Sequence, residues 1–287
     1  DMAEVGRGTY DRFRAWEIGF NTVYAKLQET RPWKESAYRG ARMMVQSGTT
    51  AAADIVTDPE AVGALASQGM HGIAYWEVMG WHNGDWKSEG IPELIDNLGH
   101  MHQEGLPSIG ISPHAPYTLE SGPFVDLPDI ARQLDMRLHI HLAETPMEAG
   151  ERDTTLTTYS AADWRDGQWA SYKQLRAAGK GASAIQFVDQ LGSLGPDVHI
   201  AHGVWADAED RRILRQRGVG VALCPRSNRI TVTGRDAPIR EYLEEGNLLA
   251  VGTDSLSSSP SLDVLDDAAM IYDLAREQGY TRDDLTH

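Results

Sequence analysis

The sequence predicts an α/β fold built toward a (β/α)8 barrel, and three observations predict it. Short β-rich runs alternate with longer helical patterns, the signature of parallel strands joined by crossover helices. The chain has 287 residues, enough for a barrel of roughly 250. Polar clusters stand at the C-terminal ends of successive strands, and a parallel barrel gathers those ends on one face.

The elements follow in order. Residues 10–27 carry apolar or aromatic side chains at Phe13, Trp16, Phe20, Val23 and Leu27, a helical spacing, and a second helix spans 36–46. A strand over 49–56 is closed by Asp58-Pro59, which opens a helix to residue 67. The next strand is 72–78, followed by a Trp- and Gly-rich loop over 79–90 and a helix over 91–103. Strand 107–111, helix 127–134 and strand 137–142 come next. Residues 148–167 are too polar for a core and read as a surface loop or lid; 169–191 is mostly helical, broken at 179–181. Strands 198–201, 219–223 and 248–251 then alternate with helices 208–217, 239–245 and 262–277. This makes seven strands, one short of a closed barrel of eight. The whole of 1–287 is expected to be a single barrel.

Composition excludes several functions. A formal charge of −16 repels phosphate backbones, so no nucleic acid is expected as partner, while a neutral nucleoside stays admissible. No stretch approaches the ~20 apolar residues of a membrane span. The single cysteine, Cys224, rules out an intrachain disulfide and suits a reducing compartment, hence a cytoplasmic expectation. A homodimer is the default assembly for such an enzyme.

Chemistry-bearing residues cluster at the strand ends. His114 lies in a loop stiffened by Pro113 and Pro116. His139 and His141 share a face of their strand, which leaves open a two-histidine clamp or a supporting role for His139. Glu144 follows three residues later. His199 and His202 would point to opposite faces of an extended strand, and His202, at the C-terminal end, is the better site candidate. Asp254 and Ser255 end the last strand, where a helix N-cap is the bland alternative. Imidazole plus carboxylate suits zinc or ferrous iron, and a metal of this kind makes water a nucleophile near neutral pH. Such chemistry needs a base and an acid, roles open to Asp254 and Glu144.

The segments Ser112-Pro-His-Ala-Pro-Tyr117, His141-Leu-Ala-Glu144, Cys224-Pro-Arg-Ser-Asn228 and Val251-Gly-Thr-Asp-Ser255 resemble the amidohydrolase superfamily, and within it the adenine-nucleoside-type deaminases. The resemblance covers the whole chain and implies a TIM-type barrel holding one divalent metal, Zn or Fe. It implies His141 and Asp254 as metal ligands, with His202 a further candidate. It implies Glu144 as the acid that protonates the purine ring nitrogen, His202 as the residue that orients the attacking hydroxide, and Asp254 as the base. It implies His114 and Ser255 as substrate contacts and leaves His139 a supporting residue. The stretch around Cys224 and the run from Gly252 to Asp263 resemble most closely the aminodeoxyfutalosine deaminases of menaquinone biosynthesis.

One departure from the pattern matters. The family's first strand ends in His-X-His, and no such pair precedes Thr49; the family's small β-sandwich is also missing from the sequence. The expectation is a chain that begins after strand one and stops soon after strand eight, incomplete at both termini. Hydrolytic deamination of a nucleoside is therefore expected first, with aminodeoxyfutalosine ahead of adenosine or S-adenosylhomocysteine. A guanine-type deaminase or a chlorohydrolase is the alternative within the same chemistry. An inactive ligand-binding barrel is the alternative from another class.

Overall fold

The computed structural model describes residues 2–101, 108–149 and 181–282. Its centre is one sheet of seven strands in sequential order: β1 (Ala51–Val56), β2 (His71–Val78), β3 (Ser108–Pro113), β4 (Leu138–Leu142), β5 (Val198–His202), β6 (Gly220–Leu223) and β7 (Leu248–Val251). Every neighbouring pair is parallel. Sequential order with helical crossovers is the topology of a (β/α) barrel, and all seven expected strands are present. Among the described residues no ladder joins β7 to β1. β7 is accordingly an exposed edge, with Leu248 and Val251 at 61% and 40% exposure.

The helices wrap the sheet and cover its outer face. Phe13–Gln28 and Trp33–Gln46 precede β1, and Val264–Glu277 follows β7. The helix Ala208–Arg217 begins with a reciprocal bond between the Asp207 and Asp210 side chains and backbone, and ends at Gly218 in the left-handed region. Leu138, Ile140 and Leu142 of β4 and Val198 and Ile200 of β5 are fully or almost fully buried in the main apolar core. Within β3, a Cβ on Gly110 would meet the Tyr75 ring at 2.5 Å, so glycine there lets that ring lie against the strand.

Several boundaries differ from the sequence expectation. The helix expected over 127–134 starts earlier, at Ser121, and runs to Gln133. Two prolines mask it in the sequence. Pro123 sits in the first turn, where no helical N–H is needed. Pro128 lies inside and cannot bond the Phe124 carbonyl; Ser193 Oγ donates to that carbonyl instead, at 2.6 Å. The loop expected over 79–90 is largely helical, with turns at Asn83–Asp85 and Trp86–Gly90 leading into Ile91–Met101. The cause is Trp86, which is fully buried and donates its indole N–H to Asp126 Oδ2 at 3.0 Å. A short helix not expected from sequence, Pro225–Ile230, follows β6, with proline at its first position. Glu148, at the start of the segment whose polarity predicts exposure, is fully buried. The remainder of the expected 148–167 lid, and the expected 169–191 helix before Gly181, lie outside the described residues; within the latter, Ala184–Gln190 is helical.

Candidate active site

The strand ends bring the expected residues together. His141, at the end of β4, has its ring centre 4.8 Å from that of His114 and 5.5 Å from that of His202. His202 Nε2 lies 3.6 Å from Glu144 Oε1. Glu144 and His202 are both buried. Asp254 joins this group electrostatically, acting on both His141 and His202.

His202 reaches the site by a backbone device. In the β4–β5 register it pairs with Leu142, and strand alternation puts Leu142 on the opposite side from His141. A regular strand would therefore turn His202 away from His141. Instead His202 takes a φ of 77° and its ring stacks beside that of His141. Extended alternation, the basis of the sequence expectation, thus fails at this residue, although His202 is the one that enters the site. The next residue, Gly203, also has positive φ, and a Cβ there would meet the Tyr242 hydroxyl at 2.5 Å. Ala143 (φ 53°) and Asp254 (φ 59°) share the left-handed conformation. Such backbone costs on the order of 1–3 kcal/mol per residue and persists where surrounding contacts enforce it.

Those contacts are on hand. Glu148 accepts three backbone N–H bonds at 2.9 Å, from Ala143 on Oε1 and from Glu144 and Thr145 on Oε2. This explains why a carboxylate is tolerated in the interior. Burial and the charge of Glu144 push it up to about 8 despite those bonds. Asp254 Oδ2 accepts from Ser227 Oγ (2.7 Å) and Ser258 Oγ (2.8 Å), and Oδ1 from the Ser255 N–H (2.7 Å). Ser255 thus touches Asp254 through its backbone, while its hydroxyl faces Ser257. The short helix after β6 supplies both Ser227 and Asn228, and His202 Nδ1 donates to Asn228 Oδ1 at 3.0 Å.

The electrostatics separate the roles. Burial, followed by the influence of His202, lowers His141 to about 4 and keeps its imidazole neutral. Its Nδ1 donates to the His114 carbonyl at 3.0 Å, which leaves the Nε2 lone pair free. The protein packed around Asp254 opposes its ionisation, but His202, the two serine bonds and His141 outweigh that and hold it below the ordinary range. A neutral imidazole with a free lone pair and a carboxylate held ionised are the states a divalent cation requires of its ligands, so the protonation states of these two residues suit one. Burial raises Glu144, reinforced by Asp254 and opposed by His202 and the Tyr117 hydroxyl. Burial works against a charged His202, yet Glu144, Asp254 and the Asn228 bond together hold it above its usual value.

Glu77 was missed by sequence reasoning. It lies near the end of β2, and one of its carboxylate oxygens, with a ring nitrogen each of His114 and His141, falls within a 4.8 Å cluster. Burial and then the charge of Asp254 push it up to about 7. A carboxylate in the run Ala74-Tyr-Trp-Glu-Val78 was the available signal: an acid near the C-terminal end of an otherwise apolar strand. Glu148, Tyr117, Ser227, Ser258 and Asn228 were likewise given no role, because their partners lie on other elements or on loop backbone. His139 is buried beneath His141 with ring centres 6.2 Å apart, and burial followed by His141 and His199 lowers it to about 3. Among the described residues its Nδ1 has no hydrogen-bond partner. His71 and His100 are exposed and His82 pairs with Glu120, whereas His102 and His287 lie outside the described residues.

Known proteins resemble this chain in sequence and in fold. The chain is 28% identical over 266 residues to the 5-methylthioadenosine/S-adenosylhomocysteine deaminase of Thermococcus kodakarensis, covering 91% of this chain and 57% of that protein. The solved adenosine deaminase of Xanthomonas campestris with bound zinc superposes with a TM-score of 0.77 at 21% identity, covering 96% of this chain and 58% of that one. The aminofutalosine deaminase of Helicobacter pylori, in complex with methylthio-coformycin, gives 0.70 at 17% identity, covering 96% and 65%. The chain thus spans little more than half the length of the relatives it matches first. No helix of the described residues is long and apolar enough to cross a membrane. The amidohydrolase family profile matches from residue 4 to residue 286, essentially end to end, and the chain belongs to the amidohydrolase family.

Proposed function

We propose that residues 1–287 form the barrel of a metal-dependent hydrolytic deaminase of an adenine-type nucleoside, with aminodeoxyfutalosine of menaquinone biosynthesis as the first substrate. The observation that carries this reading is the setting of Glu144. Its carboxyl is buried and pushed upward, takes the Tyr117 hydroxyl on one oxygen, and faces His202 on the other. That is a group suited to carrying a proton to and from a substrate atom at neutral pH. The names of the relatives point to adenine nucleosides as the substrate class.

In this reading His141 through Nε2 and Asp254 hold one divalent metal, Zn or Fe, with His202 as a further candidate ligand. Bound there, the cation would supply the acidity that makes water a nucleophile near pH 7. Glu144 gives its proton to the ring nitrogen beside the amino-bearing carbon. Asp254 accepts a proton from water as its oxygen bonds to that carbon, and His202 orients the attacking oxygen. Asp254 then hands its proton to the departing amino group, the carbon–nitrogen bond breaks, and ammonia leaves. The hydroxyl proton of the adduct returns to Glu144, which restores the starting state. His114 and Ser255 are assigned to the substrate side of the pocket.

Ammonia release from a panel tests this: aminodeoxyfutalosine, adenosine, S-adenosylhomocysteine and guanine, with chloride release from a chlorotriazine in parallel. Turnover of aminodeoxyfutalosine above the others is expected. Absence of ammonia from every adenine nucleoside would reject the reading, and chloride release alone would favour a chlorohydrolase.

A further inference from the structure

Two hydrogen-bond acceptors face each other beside the reacting centre with no donor between them. His114 Nδ1 lies 2.8 Å from Thr118 Oγ1. The Thr118 hydroxyl spends its single hydrogen on the Ala115 carbonyl. His114 must therefore donate from Nδ1, which leaves Nε2 as a bare acceptor. That nitrogen is 4.0 Å from Glu77 Oε1, with the two side chains 18% and 13% exposed. Among the described residues no hydrogen bond reaches the Glu77 carboxylate, and His114 is its one ion-pair neighbour. A sheltered carboxylate without donors is costly: burial pushes Glu77 up to about 7, and a bound group that supplies donors would favour its ionised form.

We propose that Glu77 is a substrate-binding residue that, with His114 Nε2, accepts hydrogen bonds from a donor group on the sugar side of the nucleoside. This rests on the deaminase reading and names a specificity element within it. A pair of sugar hydroxyls supplies two donors to two acceptors at this spacing, and a substrate ammonium would satisfy the same chemistry. An anionic substituent at this position would face a carboxylate and be disfavoured. The same atoms with His141 also outline a cation cluster. In the deaminase reading His141 Nε2 is committed to the catalytic metal, which leaves Glu77 and His114 as the acceptors open to substrate.

The test is binding to the full chain loaded with one equivalent of zinc, read by calorimetry with nucleosides that cannot be deaminated: inosine, 2′,3′-dideoxyinosine and 5′-amino-5′-deoxyinosine. The wild type is expected to bind inosine about 10–100-fold more tightly than the dideoxy compound, the range of hydrogen bonds to a charged group. Glu77→Ala should reduce that preference to about threefold or less and leave dideoxyinosine binding unchanged. Glu77→Gln, which keeps one acceptor oxygen, should fall between and serves if the alanine variant does not fold. If instead the preference that Glu77→Ala removes is for the 5′-amino compound, the donor is the ammonium and the proposal stands in that form. Equal discrimination in wild type and variants overturns the proposal and leaves the deaminase reading intact. So does uptake of a second zinc that Glu77→Ala abolishes. No binding of any nucleoside by the wild type overturns both.

Discussion

Tyr117 donates its hydroxyl to Glu144 Oε2 at 2.9 Å, a buried bond between the loop after β3 and the loop after β4. The bond favours the ionised carboxylate and so opposes burial, which pushes Glu144 upward. Tyr117→Phe keeps the ring and removes the donor. The Glu144 pKa should rise further, and the alkaline limb of the kcat/KM profile, where Glu144 loses the proton that the proposed mechanism has it deliver, should move to higher pH. A fall of about tenfold at the optimum is expected for one lost hydrogen bond to a charged group. A pH–rate profile of ammonia release with an unmoved alkaline limb would show that Tyr117 does not tune Glu144.

Glu148 holds the Ala143–Thr145 turn by accepting three N–H bonds. Glu148→Ala strands those donors and should cost about 3 kcal/mol in denaturant unfolding. The pH dependence has a definite sign. Burial, then Glu144, raises Glu148 from 4.5 to about 8, so between those values the folded state retains a proton that the unfolded chain has released. Stability should therefore decline as pH rises across that window and level off above it. Glu148→Gln should flatten this slope, and an equally steep slope in the variant would contradict the assignment.

Ser193 replaces the hydrogen bond that Pro128 cannot make to the Phe124 carbonyl. Ser193→Ala should cost about 1–3 kcal/mol, the penalty of an unsatisfied buried carbonyl. Adding Pro128→Ala restores a backbone N–H at the right position, so the double variant should recover much of the loss. Simple additivity in the double-mutant cycle would exclude the compensation.

Zinc affinity should depend on His141 and on the serines that orient Asp254. His141→Ala is expected to lower affinity by more than about 100-fold, and Ser258→Ala, which removes one of two hydroxyl donors to Asp254 Oδ2, by about tenfold. Competition against a chelator of known affinity reads both. Wild-type affinity in His141→Ala would remove this residue from the ligand set.

The strands were legible in the sequence because each is a short apolar run bounded by turn residues, and their order because every connection is long enough to cross over. The helix at Ser121–Gln133 was half hidden because proline reads as a breaker; only the distant Ser193 shows why it is tolerated. The turns around Trp86 were hidden for a similar reason, since the anchor, Asp126, lies 40 residues away.

The sequence by itself determined the alternation of strands and helices, the convergence of His114, His141, Glu144, His202 and Asp254 on one face, and the class of chemistry those residue types allow. Only the tertiary structure decided how His202 turns toward His141, which of its partners each imidazole faces, and that Glu77 and Glu148 lie against the candidate site. The physical reason is range. Periodicity and turn chemistry act between residues close in the chain. By contrast, a left-handed φ at a strand end, a carboxylate satisfied by loop amides and two acceptors 4.0 Å apart are set by elements that meet only when the sheet has formed.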